Sequence, residues 1–334
     1  MKSFFKLTSA FFFGDDKIYA RWAGLLLLLL SQSLVGFNYF FVLWNGRFYD
    51  SLEQKNISAF FRESLIFCGI VIAFVLLVSL TRYHGQKYAL RWRIWMSQKG
   101  LEIWLKSRTQ VEGSDQRIQE DLMRFTNIFE RFFLECFNSL VTIIVLVPML
   151  YTLANNMSFL STFNLANVLL VSIVLYTSLG LLVSTKIANP LVKLEYDNQK
   201  IEANFRYNLV HARDGANISL SFFQDITSQL STSYHEIYRL KKNFTLWQKT
   251  YDQASYLIPF LLIGSNYFSG AITLGALMQV RSTFSRIRNS MAYLLDHYSE
   301  LTELLAISIR LLEFYNAINF FEDHKSAETL KNFT

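Results

Sequence analysis

The sequence predicts an all-α protein that crosses a membrane several times. Three observations carry this. Hydrophobic residues make up 52% of the chain and charged residues only 17%, well under the roughly 25% of a soluble domain. Apolar runs close to the ~20 residues needed to cross a bilayer recur along it. Only 3 prolines interrupt 334 residues, so long helices are unbroken. Disordered, collagen-like and disulfide-framed classes are excluded. The two cysteines, Cys68 and Cys136, both lie in apolar runs and make no framework.

The elements follow in order. Residues 1–22 read as a short amphipathic, basic start. The first span covers about 23–44 and contains six leucines in a row, Leu25 to Leu30. It is too long for a signal peptide and no small-residue cleavage site follows, so it reads as a retained span. Further spans are expected at about 64–81, 132–154, 165–187 and 252–268. Pro148 and Pro259 fall inside the third and fifth, where a proline frees a carbonyl and marks a kink. The sixth, at about 277–305, is two-faced. Val280, Phe284, Ile287, Met291, Leu294, Tyr298, Leu301 and Leu305 form one stripe. Gln279, Ser282, Arg286, Asn289, Tyr293, His297 and Glu300 form the other. A soluble surface helix has the same pattern. Topology favours a span with its polar stripe toward a wet cavity.

That topology comes from charge. Cytoplasmic connections carry the Lys/Arg excess. Ten basic residues fall between Arg82 and Arg131 and nine between Lys186 and Lys249. Asn45–Glu63 has three, while Asn155–Asn164 and Ser269–Gly275 have none. Both termini are therefore expected in the cytoplasm, with 315–334 as an inner tail. The net charge of +6 orients the chain and meets anionic lipid heads. No nucleic-acid-binding motif accompanies it.

The inner connections, roughly 50 and 60 residues long, are too long for ordinary loops. They read as helices continuing the spans. In the first, Gly113–Asp115 punctuates, and Ser114 or Asp115 is placed to cap the helix QRIQEDLMRF. In the second, Pro190 opens a helix that Asp214–Gly215 ends.

Three stretches together resemble a known family. YALRWRIWMSQKGLEIWL (Tyr88–Leu105) looks like the LRWR…WL pattern found before the first inner turn of ABC-exporter membrane domains, and GSDQRIQEDLMRF (Gly113–Phe125) looks like the DQRI…D…F signature of that turn. Ile272–Phe314 looks like the last span and exit of such a domain. In order and spacing the three are similar to the SbmA/BacA peptide-antibiotic transporters, and to the membrane half of the peroxisomal-type ABC transporters related to them. The resemblance implies a six-span ABC-exporter-like transmembrane domain over 23–314, with long cytoplasmic helical extensions. It implies a homodimer in a bacterial inner membrane that moves peptides or peptide-like antibiotics, driven by protons. An ABC ATPase needs G-x-x-x-x-G-K-[ST] to cradle phosphate, and none of the 13 glycines is followed by lysine. About 20 residues follow Leu312, too few for a nucleotide-binding domain. No nucleotide-binding domain is therefore expected in this sequence, and the energy comes from a proton gradient or from a separate ATPase subunit.

Ionisable groups near membrane depth are candidates for coupling. Glu130, Glu135, Glu120 and Asp121 lie on or below the third span. Glu202 lies on the extension of the fourth, and Asp296, Glu300 and Glu303 on the sixth. Each has a bland reading as a solvated or paired charge; Glu120 and Asp121 in particular have Arg117 and Arg124 within a helical turn. The resemblance supports Glu130, and Glu202 through an E-x-x-[FY]-R pattern. Asn208 stands where peptide-transporting relatives tend to have glutamate, which departs from their proton path. Arg286 and His297 belong to the cavity stripe. No His/Cys/Asp spacing suggests a metal and no nucleophile–base pair suggests hydrolysis, so neither enzyme activity nor a cofactor is expected. A non-transporting membrane scaffold is a third alternative.

Overall fold

The computed structural model describes residues 2–107, 114–155, 165–215 and 219–318. Among these residues every regular element is helical. The chain runs through α1 (Lys2–Phe13), α2 (Lys17–Glu53), α3 (Ile57–Ser107), a short α4 (Ser114–Gln116) and a π-helical turn (Arg117–Asp121). It continues through α5 (Leu122–Asn155), α6 (Leu165–Arg213), α7 (Leu220–Phe268), α8 (Leu274–Asp296) and α9 (Tyr298–Ala317).

The long helices follow from the scarcity of breakers, and the turns fall where local chemistry stops them. Lys55 adopts φ +52° between α2 and α3. Asn56 then caps α3 by accepting from the Ala59 amide at 3.1 Å, as a short polar side chain at that position does. Gly215 (φ +95°) and Gly270 (φ +76°) end α6 and α7 in left-handed geometry, open to residues without a Cβ. Ser219 caps α7 from Phe222.

Among the described residues four helices have a stretch apolar and long enough to cross a membrane: Lys17–Glu53, Ile57–Leu105, Arg117–Asn155 and Ala166–Arg213. They include the first four expected spans. The expected fifth and sixth are not among them. α7 is polar over much of its length, and α8 carries Arg281, Arg286 and Arg288 within 23 residues.

The chain forms two compact units, Met1–Asn156 with Ile272–Thr334, and Met157–Ala271. In the first, α2 and α3 form an antiparallel hairpin. At its turn end Trp44 stacks on Phe67 (4.7 Å) and Phe48 (5.1 Å). Glu63 is buried there beside Arg47 at 3.6 Å. α8 starts against this end. Its Leu274 and Gly275 amides donate to Glu53 (2.8 Å) and Asp50 (3.0 Å) of α2. The carboxylates thereby satisfy helix N-terminal donors that have no intrahelical partner. Gly275 lies against the Gly46 carbonyl, so a side chain at Gly275 has no room.

At the far end of the hairpin lies the main core. Leu7 and Phe11 of α1 are fully buried against Tyr88, Trp92 and Met96 of α3, Leu122 and Phe125 of α5, and Leu311 and Phe314 of α9. Phe11 stacks on Trp92 at 5.3 Å. The amphipathic start is therefore part of the core.

The second unit is a hairpin of α6 and α7. Tyr176 and Tyr251 stack at 4.3 Å, and each hydroxyl donates to the other residue's backbone carbonyl. Gly180 makes room for the Tyr251 ring. Trp247 donates to Ser184 at 3.0 Å and Lys241 pairs with Glu195 at 2.8 Å.

Three expectations change. Pro190 lies inside α6 and opens no new helix. The sixth segment is two helices, because α8 ends at Asp296 and α9 begins at Tyr298. The break shifts the apolar register: Val280, Phe284 and Ile287 are buried as the stripe requires, but beyond it Leu304, Ile307, Leu311 and Phe314 are buried. The helix QRIQEDLMRF begins with a π-helical turn, and Gly113, expected as punctuation, lies outside the described residues.

Candidate functional site

The candidate carboxylates of the first unit fall into two groups, divided by the face of α5 on which they stand. Arg117, Arg124 and Arg131 recur every seven residues and face α9. Arg310 grips Asp121 with two hydrogen bonds, Nε to Oδ2 at 3.0 Å and Nη2 to Oδ1 at 2.8 Å. Arg117 adds a third to Oδ2 at 2.7 Å. Asp121 is 2% exposed, so its charge is stable only with these partners. The same contact raises the Arg310 guanidinium above its ordinary pKa. Arg124 bridges Glu120 (2.7 Å) and Glu303 (3.2 Å). Arg131 reaches Glu300 at 3.0 Å. Glu120, Asp121, Glu300 and Glu303 are thus members of an ion-pair ladder between the start of α5 and α9. The π-helical turn belongs to this ladder, since it carries both Arg117 and Asp121.

Glu130 is one residue away from the ladder and faces α3. It is half-buried. Its carboxylate lies over Gly85, where an added Cβ would strike Oε1. Among the described residues it makes no hydrogen bond or ion pair. Arg82, Arg131 and Glu135 act on it only through space. Glu135, a turn further along α5, is exposed. It acts on Tyr293 of α8, as does Glu300. Tyr293 in turn lies beside Phe132 at 6.0 Å and stacks on His297 at 4.3 Å. His297 Nδ1 bonds the Tyr293 carbonyl at 3.0 Å. The expected cavity histidine therefore occupies the break between α8 and α9, tied to its own preceding turn. Asp296 is exposed beside it. Together Glu135, Tyr293, His297 and Glu300 cluster where α5 meets the α8–α9 break.

Two further candidates lie elsewhere. Arg286 donates to Asn38 of α2 and stands over the Phe41 ring at 5.4 Å, so it ties α8 to α2. Glu202, in the second unit, accepts from Tyr234 Oη at 2.9 Å and joins α6 to α7. Asn208 donates to Asn204 one turn back. Among the described residues no group of three or more His, Cys, Asp or Glu is arranged to hold a metal ion.

Sequence reading did not single out Gly85, Asn38, Arg310 or the buried Glu63. Gly85 leaves a faint signal, as a lone glycine within a helix between polar neighbours. Arg310 leaves none, because its partner is 189 residues away.

The first unit thus presents a half-buried carboxylate beside a glycine, with no ion pair among the described residues, next to a ladder of paired acids. The SbmA/BacA-like family matches residues 16–319. The chain belongs to the SbmA/BacA-like family. Its curated relatives are transporter proteins. An uncharacterized ABC transporter ATP-binding protein of Synechocystis is 27% identical over 91% of this chain and 48% of its own length. The inner membrane ABC transporter ATP-binding protein YddA of Escherichia coli is 28% identical, over 81% of this chain and 53% of its own. ABC transporter D family member 2, chloroplastic, of Arabidopsis thaliana is 25% identical over 96% and 47%. This SbmA/BacA-like chain spans about half the length of each.

Proposed function

We propose that this chain is the membrane-embedded body of a secondary transporter that takes up peptides or peptide-like antibiotics with protons, by alternating access in a homodimer. Six spans per copy place twelve helices around a shared cavity, with α7 and α8 turning polar faces to water. Both termini are cytoplasmic and the membrane is the bacterial inner membrane. The observation that carries the proton-driven reading is Glu130. Its carboxylate is half-buried and, among the described residues, lacks a cation within ion-pair distance, whereas Glu120, Asp121, Glu300 and Glu303 pair with arginines and Glu135, also unpaired, is exposed. A group so placed is the one whose charge is most easily exchanged for a proton. Glu202, which among the described residues is held by the neutral Tyr234 hydroxyl, is the corresponding group of the second unit. The chain itself carries out no hydrolysis and needs no cofactor.

A second reading is favoured by the relatives' own descriptions: movement is powered by an ATP-binding part outside these 334 residues. One experiment separates the two. Purified protein in liposomes receives a labelled cationic peptide, an imposed pH gradient and no nucleotide. Uptake that collapses with a protonophore is expected. Uptake that starts only when ATP and an ATPase partner are supplied establishes the second reading instead.

A further inference from the structure

The corner formed by α1, the start of α2 and the 83–91 stretch of α3 carries more basic than acidic side chains. Two acidic residues stand there and both are taken. Asp16 accepts from Arg91 at 3.0 Å, and Asp15 pairs with Lys99 at 3.1 Å. Lys17, Arg21 and Lys87 remain exposed, and among the described residues no carboxylate pairs with them. Arg21 instead donates to the Phe12 carbonyl at 3.2 Å and lies over the Phe13 ring at 5.2 Å. Lys87 lies over the Tyr83 ring at 5.5 Å. The Arg91–Asp16 pair and the stack of Tyr19 on Tyr88 at 6.4 Å bring the first turn of α2 beside this part of α3.

The aromatic side chains of this corner face outward. Phe13 is 60% exposed, Ile18 71%, Trp22 69% and Tyr83 56%. On α2 the exposed face continues from Trp22 into Leu25, Leu26 and Leu29, the start of the long apolar run. On α3 the corner follows directly after the apolar run that ends near Thr81. Both helices therefore change from apolar to basic and aromatic at one level. That is the pattern of a membrane–water boundary, where Trp and Tyr rings and Lys or Arg heads reside.

We infer that this corner is a binding site for anionic phospholipid: Lys17, Arg21 and Lys87 meet headgroup phosphates, and Trp22, Phe13 and Tyr83 lie beside the upper acyl chains. Lysine and arginine near an anionic bilayer surface each contribute about a five-fold gain in binding. Three cations on one corner thus select anionic from zwitterionic lipid. α1 is fixed by the buried Phe11 and Leu7, so the site is pre-formed. The inference is independent of whether transport runs on protons or ATP.

The test uses the whole protein purified in mild detergent, with phosphatidylglycerol and phosphatidylcholine as probes. Native mass spectrometry counts the lipids retained. Each of Lys17→Gln, Arg21→Gln and Lys87→Gln is expected to weaken phosphatidylglycerol retention about five-fold, with phosphatidylcholine unaffected. Lys17→Arg with Lys87→Arg is expected to keep the lipid, since the charges stay. Arg239→Gln with Lys242→Gln, on the second unit, is expected to change nothing. In liposomes, acyl chains brominated near the headgroup are expected to quench a fluorescence component that Trp22→Phe removes. Equal phosphatidylglycerol retention by the glutamine variants and the parent overturns the site. So does equal loss in the Arg239/Lys242 control, which makes the effect one of net charge, and so does loss in the charge-keeping variant.

Discussion

At the scale of single residues, the decisive contrast is between Asp121 and Glu130, two acids nine positions apart on one helix. Asp121 is buried and receives three hydrogen bonds from two arginines. Arg310→Leu removes two charge-assisted hydrogen bonds from a partly exposed arginine and leaves Asp121 paired with Arg117, a cost of about 1.5–3 kcal/mol. Arg310→Leu is therefore expected to lower stability by about that amount in denaturation followed by tryptophan fluorescence. The Arg310 pKa is raised, so its contribution is complete below the ordinary arginine value and declines only as pH climbs through the raised one. The difference between parent and Arg310→Leu is accordingly expected to stay constant from neutral pH to about pH 10. Glu130 behaves in the opposite way. Glu130→Gln removes no ion pair, and it is expected to leave the fold intact while abolishing pH-gradient-driven uptake. Gly85→Ala reaches the same group indirectly. The new methyl meets the end of a flexible side chain, so the stability cost is under about 1.5 kcal/mol. Uptake is expected to fall nearly as far as in Glu130→Gln, because the carboxylate is displaced. Normal uptake by Gly85→Ala with an intact fold removes Glu130 from the coupling role.

At the scale of elements, α8 is fixed at its start and α9 along its length, and the break lies between. The start of α8 is held by Asp50 and Glu53, and by the approach of Gly275 to Gly46. The two glycines differ in what a side chain would meet. At Gly46 it is the flexible Gln279; at Gly275 it is the backbone carbonyl of Gly46. Gly275→Ala is thus expected to cost about 1–3 kcal/mol and Gly46→Ala less, as read from thermal unfolding in detergent. α9 is bound to α5 by the ladder and to α1 and α3 by the aromatic core. The break at His297 explains why the stripe from Val280 to Leu305 holds for Val280, Phe284 and Ile287, while beyond it Leu304 and Ile307 are buried rather than Leu301 and Leu305. Helical periodicity is a reliable guide within one helix and loses phase across an interruption. The sequence around Asp296–Tyr298 has no glycine or proline to announce one.

At the scale of the whole molecule, α3 decides what surrounds the bundle. None of its most apolar 18-residue stretch is buried within the chain, and Leu65, Ile72, Val75 and Leu76 are exposed. In water so large an apolar face would drive aggregation; in a bilayer it meets lipid. Ile72→Lys is expected to cost about 3 kcal/mol of insertion, seen as a reduced membrane-integrated fraction after carbonate extraction. Tyr88→Ala, which hollows the core beyond the bilayer, is expected to leave integration intact and lower thermal stability. The best-packed core thus lies outside the apolar spans, where helices from both ends of the first unit's sequence converge and water supplies the hydrophobic driving force.

The sequence by itself determined the membrane class, the first four spans, the long helical extensions and the family resemblance. These rest on local composition, helical periodicity and motif order, which need no knowledge of what lies across a helix. Only the tertiary structure decided which acids are neutralised and which are left. Asp121 and Glu130 both read as acids on a helix, and their difference lies in Arg310 and Gly85, which stand on other helices and are brought near only by packing. An electrostatic environment is a property of neighbours in space, and a linear chain does not carry it.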